Sequence, residues 1–403
     1  MTTFTRQSFE RAALVSACII VAAPVPDAAG QQPPLAPSCP ANAAWAGPPR
    51  RQVPAEVWQR DFTRPIDGSL PAAVVSALQE VADQLTKRAP AVSVAVAIPG
   101  VGRWAVSQGV ARSDRGTPLP PDARFQVAST TKTFTAVALL QLEAEGALRT
   151  GQSIEPWFDE APSARLTTLD HLLRHTSGLV SFNALPAWTL DYRPPREAIA
   201  MALAARPQFC PGAGFGYSNT GYAMLGVVIE NLAKRPLGEV FAERFARPIG
   251  LAHSALRDRD DDLPVVSGHV GGQPVDMPDH YATPFAAGGL ASTAEDLVTF
   301  WHALLGGRLI PPASVRTMFT DLAPMDQSGQ MFYGRGVQLY DIPQGPGLML
   351  GHSGGITGFT SVVAYLAADD MYVSVIFNEQ QVPAEAGLWA VVRAVRAARQ
   401  AGK

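Results

Sequence analysis

Apolar positions recur with different periods along this chain, and each period predicts a different element. From Leu70 to Ala89 they fall three and four residues apart, which predicts an amphipathic helix. AVSVAVAI (Ala91 to Ile98) and RWAVSQGVA (Arg103 to Ala111) read as strands separated by a Pro-Gly turn. Between Thr130 and Glu145 the pattern is helical and apolar nearly all round, so this helix is expected to be buried, with Gly146 as its stop. A long stretch, 150–284, reads as helical and loop-rich, with many Pro and Gly breaks. Ser292, with Glu295 three residues on, forms a capping-box pattern opening a helix that Gly306 and Gly307 end. Strand patterns return at SVVAYL and at MYVSVIF (Met371 to Phe377), and a closing helix runs from about Ala384 to Arg399. Strands at both ends with helices between predict an α+β fold. A sheet subdomain (70–125 and 285–403) is interrupted by an all-helical subdomain (126–284).

The N-terminus follows another pattern. Arg6 and Arg11 precede a largely apolar run from Ala12 to Ala23 that Pro24 ends. This run is too short to span a bilayer and suits the core of a signal peptide, 1–30. Ala28 and Gly30 place cleavage before Gln31, and Val21 with Ala23 offers a second site. The expectation is export to the periplasm or the medium. Val15-Ser16-Ala17-Cys18 resembles a lipoprotein cleavage box, but Arg11 lies close before it and the apolar run continues past Cys18. A lipid anchor is therefore the lesser reading. Seven prolines in 31–54 predict an extended linker, 31–69, outside the fold.

Composition adds limits. The 403 residues are 47% apolar and 17% charged, with a net charge of −3 and no block of like charge. That is ordinary globular composition and gives no basis for nucleic-acid binding. After cleavage Cys39 and Cys210 remain; two cysteines make no framework, and the sequence leaves their pairing open. Oligomeric state is not legible in any of these patterns.

Several serines and histidines compete as chemistry. GHSGG (Gly351 to Gly355) fits G-x-S-x-G, the nucleophile turn of α/β-hydrolases. That arrangement needs a histidine after the serine, and none of the seven histidines follows His352. Ser353 is excluded as nucleophile. HLLRH (His171 to His175) has the spacing of a helical zinc pair but lacks the glutamate of H-E-x-x-H. It reads as two histidines that hydrogen-bond backbone. No metal is implied.

FQVASTTKTFTA remains, with Ser129 and Lys132 as S-x-x-K. Residues three apart on a helix share a face, so the amine reaches the hydroxyl. Burial and the helix N-terminus both lower the lysine pKa, towards a neutral amine able to take a proton. The chain has four lysines against 28 arginines, and no other serine has lysine three residues later. Arginine cannot be deprotonated to act as a base.

Five stretches in order, FQVASTTKTFTA, LDHLLRHTSGL, PGAGFGYSNTGYAMLG, AAGGLASTAEDL and GHSGGITGF, resemble the serine β-lactamase and penicillin-binding superfamily, in its class C-like branch. The resemblance covers about residues 75–400. It implies an antiparallel sheet flanked by helices beside an all-helical domain, with the active site in the cleft between. On that basis Ser129 is the acylated nucleophile and Lys132 its partner. Tyr217 and Asn219 match the family's Y-x-N, and GHSGG matches its third motif, K-T-G in class C β-lactamases. The glycine-rich stretch thus serves Ser129. Substrate and oxyanion contacts are expected from Asn219, Ser353, Gly354 and Gly355, with the N–H groups of Ser129 and Gly355 as the oxyanion donors. LDHLLRHTSGL and AAGGLASTAEDL are assigned no chemistry.

Where class C β-lactamases carry lysine, this chain has His352. A histidine titrates near neutrality, which predicts pH-dependent activity through His352; the resemblance, whose histidine forms are peptidases, aminopeptidases and esterases, implies inefficient antibiotic hydrolysis. The resemblance implies hydrolysis of D-amino-acid peptides or amides, or of β-lactams. A carboxylesterase and a penicillin-binding sensor without turnover are the alternatives. The expected partner is a small-molecule or peptide substrate, and no cofactor is implied.

Overall fold

The computed structural model describes residues 39–120, 122–257, 265–275 and 282–401. The signal-peptide and Cys18 expectations lie outside the described residues. In chain order the strands are β1 (Ala91–Ile98), β2 (Gly102–Arg112), β3 (Thr117–Pro118), β4 (Phe125–Gln126), β5 (Ala255–Leu256), β6 (Gly268–Val270) and β7 (Gln273–Val275). They continue as β8 (Leu290–Ser292), β9 (Ala323–Pro324), β10 (Met331–Tyr333), β11 (Gln338–Ile342), β12 (Gly347–Ile356), β13 (Phe359–Leu366) and β14 (Met371–Phe377).

Nine of them form one antiparallel sheet, ordered β3-β2-β1-β14-β13-β12-β11-β10-β9. Its first long strand and its last meet inside the sheet, where β1 pairs with β14 in the register Val94↔Val375. Every residue of β1, β13 and β14 is buried. Helices cover both faces of the sheet, so these strands read as continuous apolar runs rather than as alternation. Helices Ala72–Leu85 and Ala384–Ala401 close one face, with Leu78, Val94, Val375 and Leu388 in a shared core. The rest of the molecule packs on the other face around helices Thr131–Ala144 and Ala294–Leu305. A proline stands in each edge strand, Pro118 in β3 and Pro324 in β9, where the missing N–H blunts the edge against further pairing.

The Thr131–Ala144 helix is buried on almost every side, as its apolar pattern requires. Its threonine hydroxyls find backbone acceptors: Thr131 to the Ala128 carbonyl at 2.6 Å, Thr133 to Gly336 at 2.8 Å and Thr135 to Ala286 at 2.7 Å. Those bonds tie the helix to the segments that surround it and leave no buried hydroxyl unmade.

Three expectations need correction. Residues 39–69 are not a linker outside the fold. Cys39 and Cys210 form a disulfide, Arg51 pairs with Leu322 through two backbone bonds of 2.8 and 3.0 Å, and Val57, Phe62 and Ile66 are buried in the core. Proline runs predict extended chain, but extended chain with apolar side chains at intervals can also lie in a groove. The region 126–284 is not all helical either, since it holds β5 and the β6–β7 hairpin. Third, the helix cap is Thr293, which accepts the Asp296 N–H at 3.2 Å. Ser292 ends β8 instead, and its hydroxyl meets that of Ser254 at 2.8 Å. No helix among the described residues is long and apolar enough to cross a membrane.

Candidate active site

Ser129 sits in a single 3-10 turn, Ala128–Thr130, that runs into the Thr131–Ala144 helix. Ala128, one residue before it, has φ +48°, a left-handed conformation costly for alanine. The strain is held by β12. A Cβ on Gly354 would stand 2.3 Å from the Val127 carbonyl oxygen and 2.8 Å from the Ser129 nitrogen, so only glycine allows this approach.

Lys132 points back along the helix to Ser129 and is fully buried. Its Nζ lies 3.1 Å from Ser129 Oγ, 2.8 Å from Asn219 Oδ1 and 2.6 Å from the Ala287 carbonyl oxygen. Burial holds the amine well below the ordinary lysine value of 10.5. A neutral amine has two N–H donors and one lone pair. Asn219 Oδ1 and the Ala287 carbonyl can only accept, so they take the two donors. The lone pair is then left for the Ser129 hydroxyl, which donates to it. This is the geometry of a general base beside a nucleophile.

Asn219 has its amide oriented from behind. Its Nδ2 donates to Asn183 Oδ1 at 3.0 Å, its backbone N–H donates to Ser181 Oγ at 2.9 Å, and the Ser181 hydroxyl donates to Asn183 Oδ1 at 2.7 Å. The oxygen of Asn219 is thereby turned to Lys132. Tyr217, in the irregular segment before helix Asn219–Ala233, lays its ring under the amine with Nζ 4.8 Å from the centroid.

β12 supplies the other wall. Its pairing Gln338↔Gly351 turns the N–H groups of Gly351, Ser353 and Gly355 towards β11, and β11 begins at Gln338. The N–H of exposed Gly355 is therefore directed past the end of that strand. Ser353 does not join it, contrary to expectation. Its N–H donates to Gln338 Oε1 at 2.8 Å, and its hydroxyl bonds Gln338 and Glu385 on the face covered by helix Ala384–Ala401. Alternation along the strand places Ser353 opposite His352 and Gly354.

His352 is brought to the site but not as a cation. It is buried, with Nε2 3.1 Å from the Tyr333 hydroxyl and Nδ1 2.6 Å from the Ser353 carbonyl oxygen. That carbonyl can only accept, so Nδ1 carries the proton and Nε2 accepts from Tyr333. Burial first, then nearby Lys132, lower its pKa from 6.5 to about 3. The expectation of titration near neutrality fails because strand pairing buries the ring. Activity between pH 5 and 8 is therefore expected to show no limb from His352, and His352→Gln should keep the wild-type profile shape in kcat/KM. A limb near pH 6.5 that vanishes in His352→Gln would refute this.

His171 and His175 each take a backbone N–H on Nδ1, from Thr168 at 3.2 Å and Ser218 at 3.1 Å. Two contributors escaped sequence reasoning. Ala287 acts through its carbonyl, which no side-chain pattern reveals, although the paired glycines after it signal close backbone approach. Asn183 lies in a single 3-10 turn, Phe182–Ala184, within a stretch whose sequence has no periodicity. A separate cavity of about 620 Å³, lined by Ile66, Arg103, His253, Glu295 and Arg308 among others, contains none of these site residues.

Residues 74–397 match the family model described as Beta-lactamase. The chain is 26% identical to penicillin-binding protein 4* of Bacillus subtilis (strain 168), over 64% of this chain and 61% of that protein. It is 30% identical to esterase EstB of Burkholderia gladioli, over 55% of this chain and 62% of that one. The chain thus spans less than two thirds of the length of these relatives. Among solved structures, D-amino acid amidase from Ochrobactrum anthropi SV3 superposes with a TM-score of 0.72 at 25% identity, covering 82% of this chain and 99% of that one. With the match running from the first sheet-covering helix into the last, and with Ser129 and Lys132 joined across one helical turn, this chain belongs to the beta-lactamase family.

Proposed function

We propose that the chain is a serine hydrolase working through an acyl-enzyme on Ser129, with D-amino-acid amides and esters as its leading substrates. The observation that carries this reading is the Lys132 amine, whose donors are occupied by Asn219 and Ala287 while its lone pair faces Ser129 Oγ.

Chemically, Ser129 Oγ attacks the substrate carbonyl as its proton passes to Lys132 Nζ. The oxyanion forms against the N–H groups of Ser129 and Gly355. Collapse breaks the bond to the amine or alcohol, which leaves with the proton carried by Lys132; Tyr217, whose ring lies against that amine, is the proposed relay. Water then attacks the ester on Ser129, giving a proton to the amine; collapse releases the acid and expels Ser129 Oγ, which takes that proton back and restores the hydroxyl and the neutral amine.

The neutral state of His352 bears on substrate class. A fixed cation at that place would attract a substrate carboxylate, and a buried imidazole with both nitrogens engaged does not. This favours substrates without a carboxylate beside the scissile bond over D-alanyl-D-alanine peptides and β-lactams. Among the relatives, the amidase and the esterase fit that preference, whereas penicillin-binding protein 4* fits the other class. Export is supported by the Cys39–Cys210 disulfide, which persists in oxidising compartments.

Parallel assays on a D-alanine p-nitroanilide, a short-chain p-nitrophenyl ester and an acylated D-Ala-D-Ala peptide test the reading. Anilide or ester turnover should exceed peptide turnover by about tenfold or more, as for one missing charge contact. Faster release of D-alanine from the peptide would make the carboxypeptidase reading the better one.

A further inference from the structure

His175 lies in the stretch to which sequence reasoning gave no chemistry, yet it holds the segment carrying Tyr217 at two points. Its carbonyl accepts the Gly216 N–H at 2.9 Å, and its ring Nδ1 accepts the Ser218 N–H at 3.1 Å. Between those anchors the imidazole lies against the Tyr217 ring, centroid to centroid 4.2 Å.

The arrangement is costly in two ways. His175 has φ +57°, left-handed backbone that most side chains disfavour. With Nδ1 accepting, Nε2 must carry the ring proton, and that N–H is buried without a hydrogen-bond partner among the described residues. It sits among the rings of Tyr217, Tyr222 and Tyr333, whose centroids are 4.2, 5.1 and 4.5 Å away. Burial, with Lys132 and His352 nearby, holds His175 well below its ordinary 6.5, so the ring remains a neutral acceptor at Nδ1. A left-handed cap residue could be glycine, without strain and without a buried orphan donor. Glycine would also supply neither the acceptor nor the ring.

We propose that His175 is a positioning residue for catalysis. Its ring and carbonyl clamp Gly216 and Ser218 and so set the Tyr217 phenol against Lys132 and Ser129. The inference rests on the hydrolase reading above and adds a residue to that machinery.

Two substitutions separate backbone from clamp. His175→Gly accepts the left-handed backbone but removes acceptor and ring. His175→Asn also tolerates that backbone and keeps an amide oxygen near the place of Nδ1. Both are compared with the parent chain and with Ser129→Ala on a p-nitrophenyl ester, with thermal melting alongside. A misplaced catalytic group costs about 10²-fold, so the glycine variant should lose about that in kcat with KM within a few-fold, a split that loss of packing alone would not give. The asparagine variant should stay within about tenfold of the parent in kcat. A folded glycine variant with parental kcat overturns the proposal, as does an asparagine variant that loses as much. If the glycine variant does not fold, the asparagine variant alone decides by the same criterion. Activity that persists in Ser129→Ala would instead overturn the hydrolase reading itself.

Discussion

Ser129→Ala is expected to abolish ester and amide turnover, a loss on the order of 10⁴- to 10⁶-fold, as for removal of a serine nucleophile elsewhere. Intact mass after mixing with benzylpenicillin should show no adduct. The fold should persist, because Ser129 Oγ contributes a bond to Lys132 and little packing; the residue is only half-buried. Ser353→Ala is the matched control. It lies in the more familiar-looking G-x-S-x-G, but its hydroxyl faces Gln338 and Glu385 on the far side of the sheet. Its turnover should stay within a few-fold of the parent. If Ser353→Ala inactivates and Ser129→Ala does not, the assignment of the nucleophile is reversed.

The contrast between these serines shows how far the sequence reaches. β1, β13, β14 and the helix carrying Lys132 were legible because continuous apolar runs and all-round apolar helices leave few alternatives. The adjacency of Ser129 and Lys132 follows from helical pitch alone, and the hydrogen bond at 3.1 Å is its local consequence. Non-local features were not legible in the same way. Whether a strand buries His352 or presents it depends on the neighbours of β12, which are β11 and β13, and on Tyr333 from β10 beyond them. The segment around Val57 and Phe62 read as linker because proline runs describe backbone stiffness and say nothing of what the chain lies against. Phe62 packs on Tyr365, 303 positions later, with ring centroids 5.1 Å apart. Its disulfide anchor was likewise undecided by two cysteines 171 residues apart. The displaced helix cap is a subtler case. Ser292 and Thr293 are equally good cap residues, and only the pairing of β8 with β4 and β5 keeps Ser292 extended.

Lys132→Met should lower the acylation rate by about 10²- to 10⁴-fold, the usual range for losing a general base. KM should change little, because the buried amine reaches Ser129, Asn219 and Ala287 from inside the protein rather than from the cleft. Lys132→Arg should fare no better, since a guanidinium keeps its proton and forks into a space occupied by close-packed acceptors. The pH profile separates loss of a base from loss of packing. Parent activity should rise with pH as the amine releases its proton, at a pH well below the ordinary 10.5 because burial disfavours the ammonium. The sign is fixed by the chemistry: protonated Lys132 has no lone pair for the Ser129 proton, so acid inactivates. In Lys132→Met the group that titrates is gone, and the residual acylation should be flat across that window. If the acid limb survives in the methionine variant, another group controls it. The lone pair drawn towards Ser129 would then be incidental to catalysis, and Tyr217, whose ring lies 4.8 Å below the amine, would become the first candidate for the base.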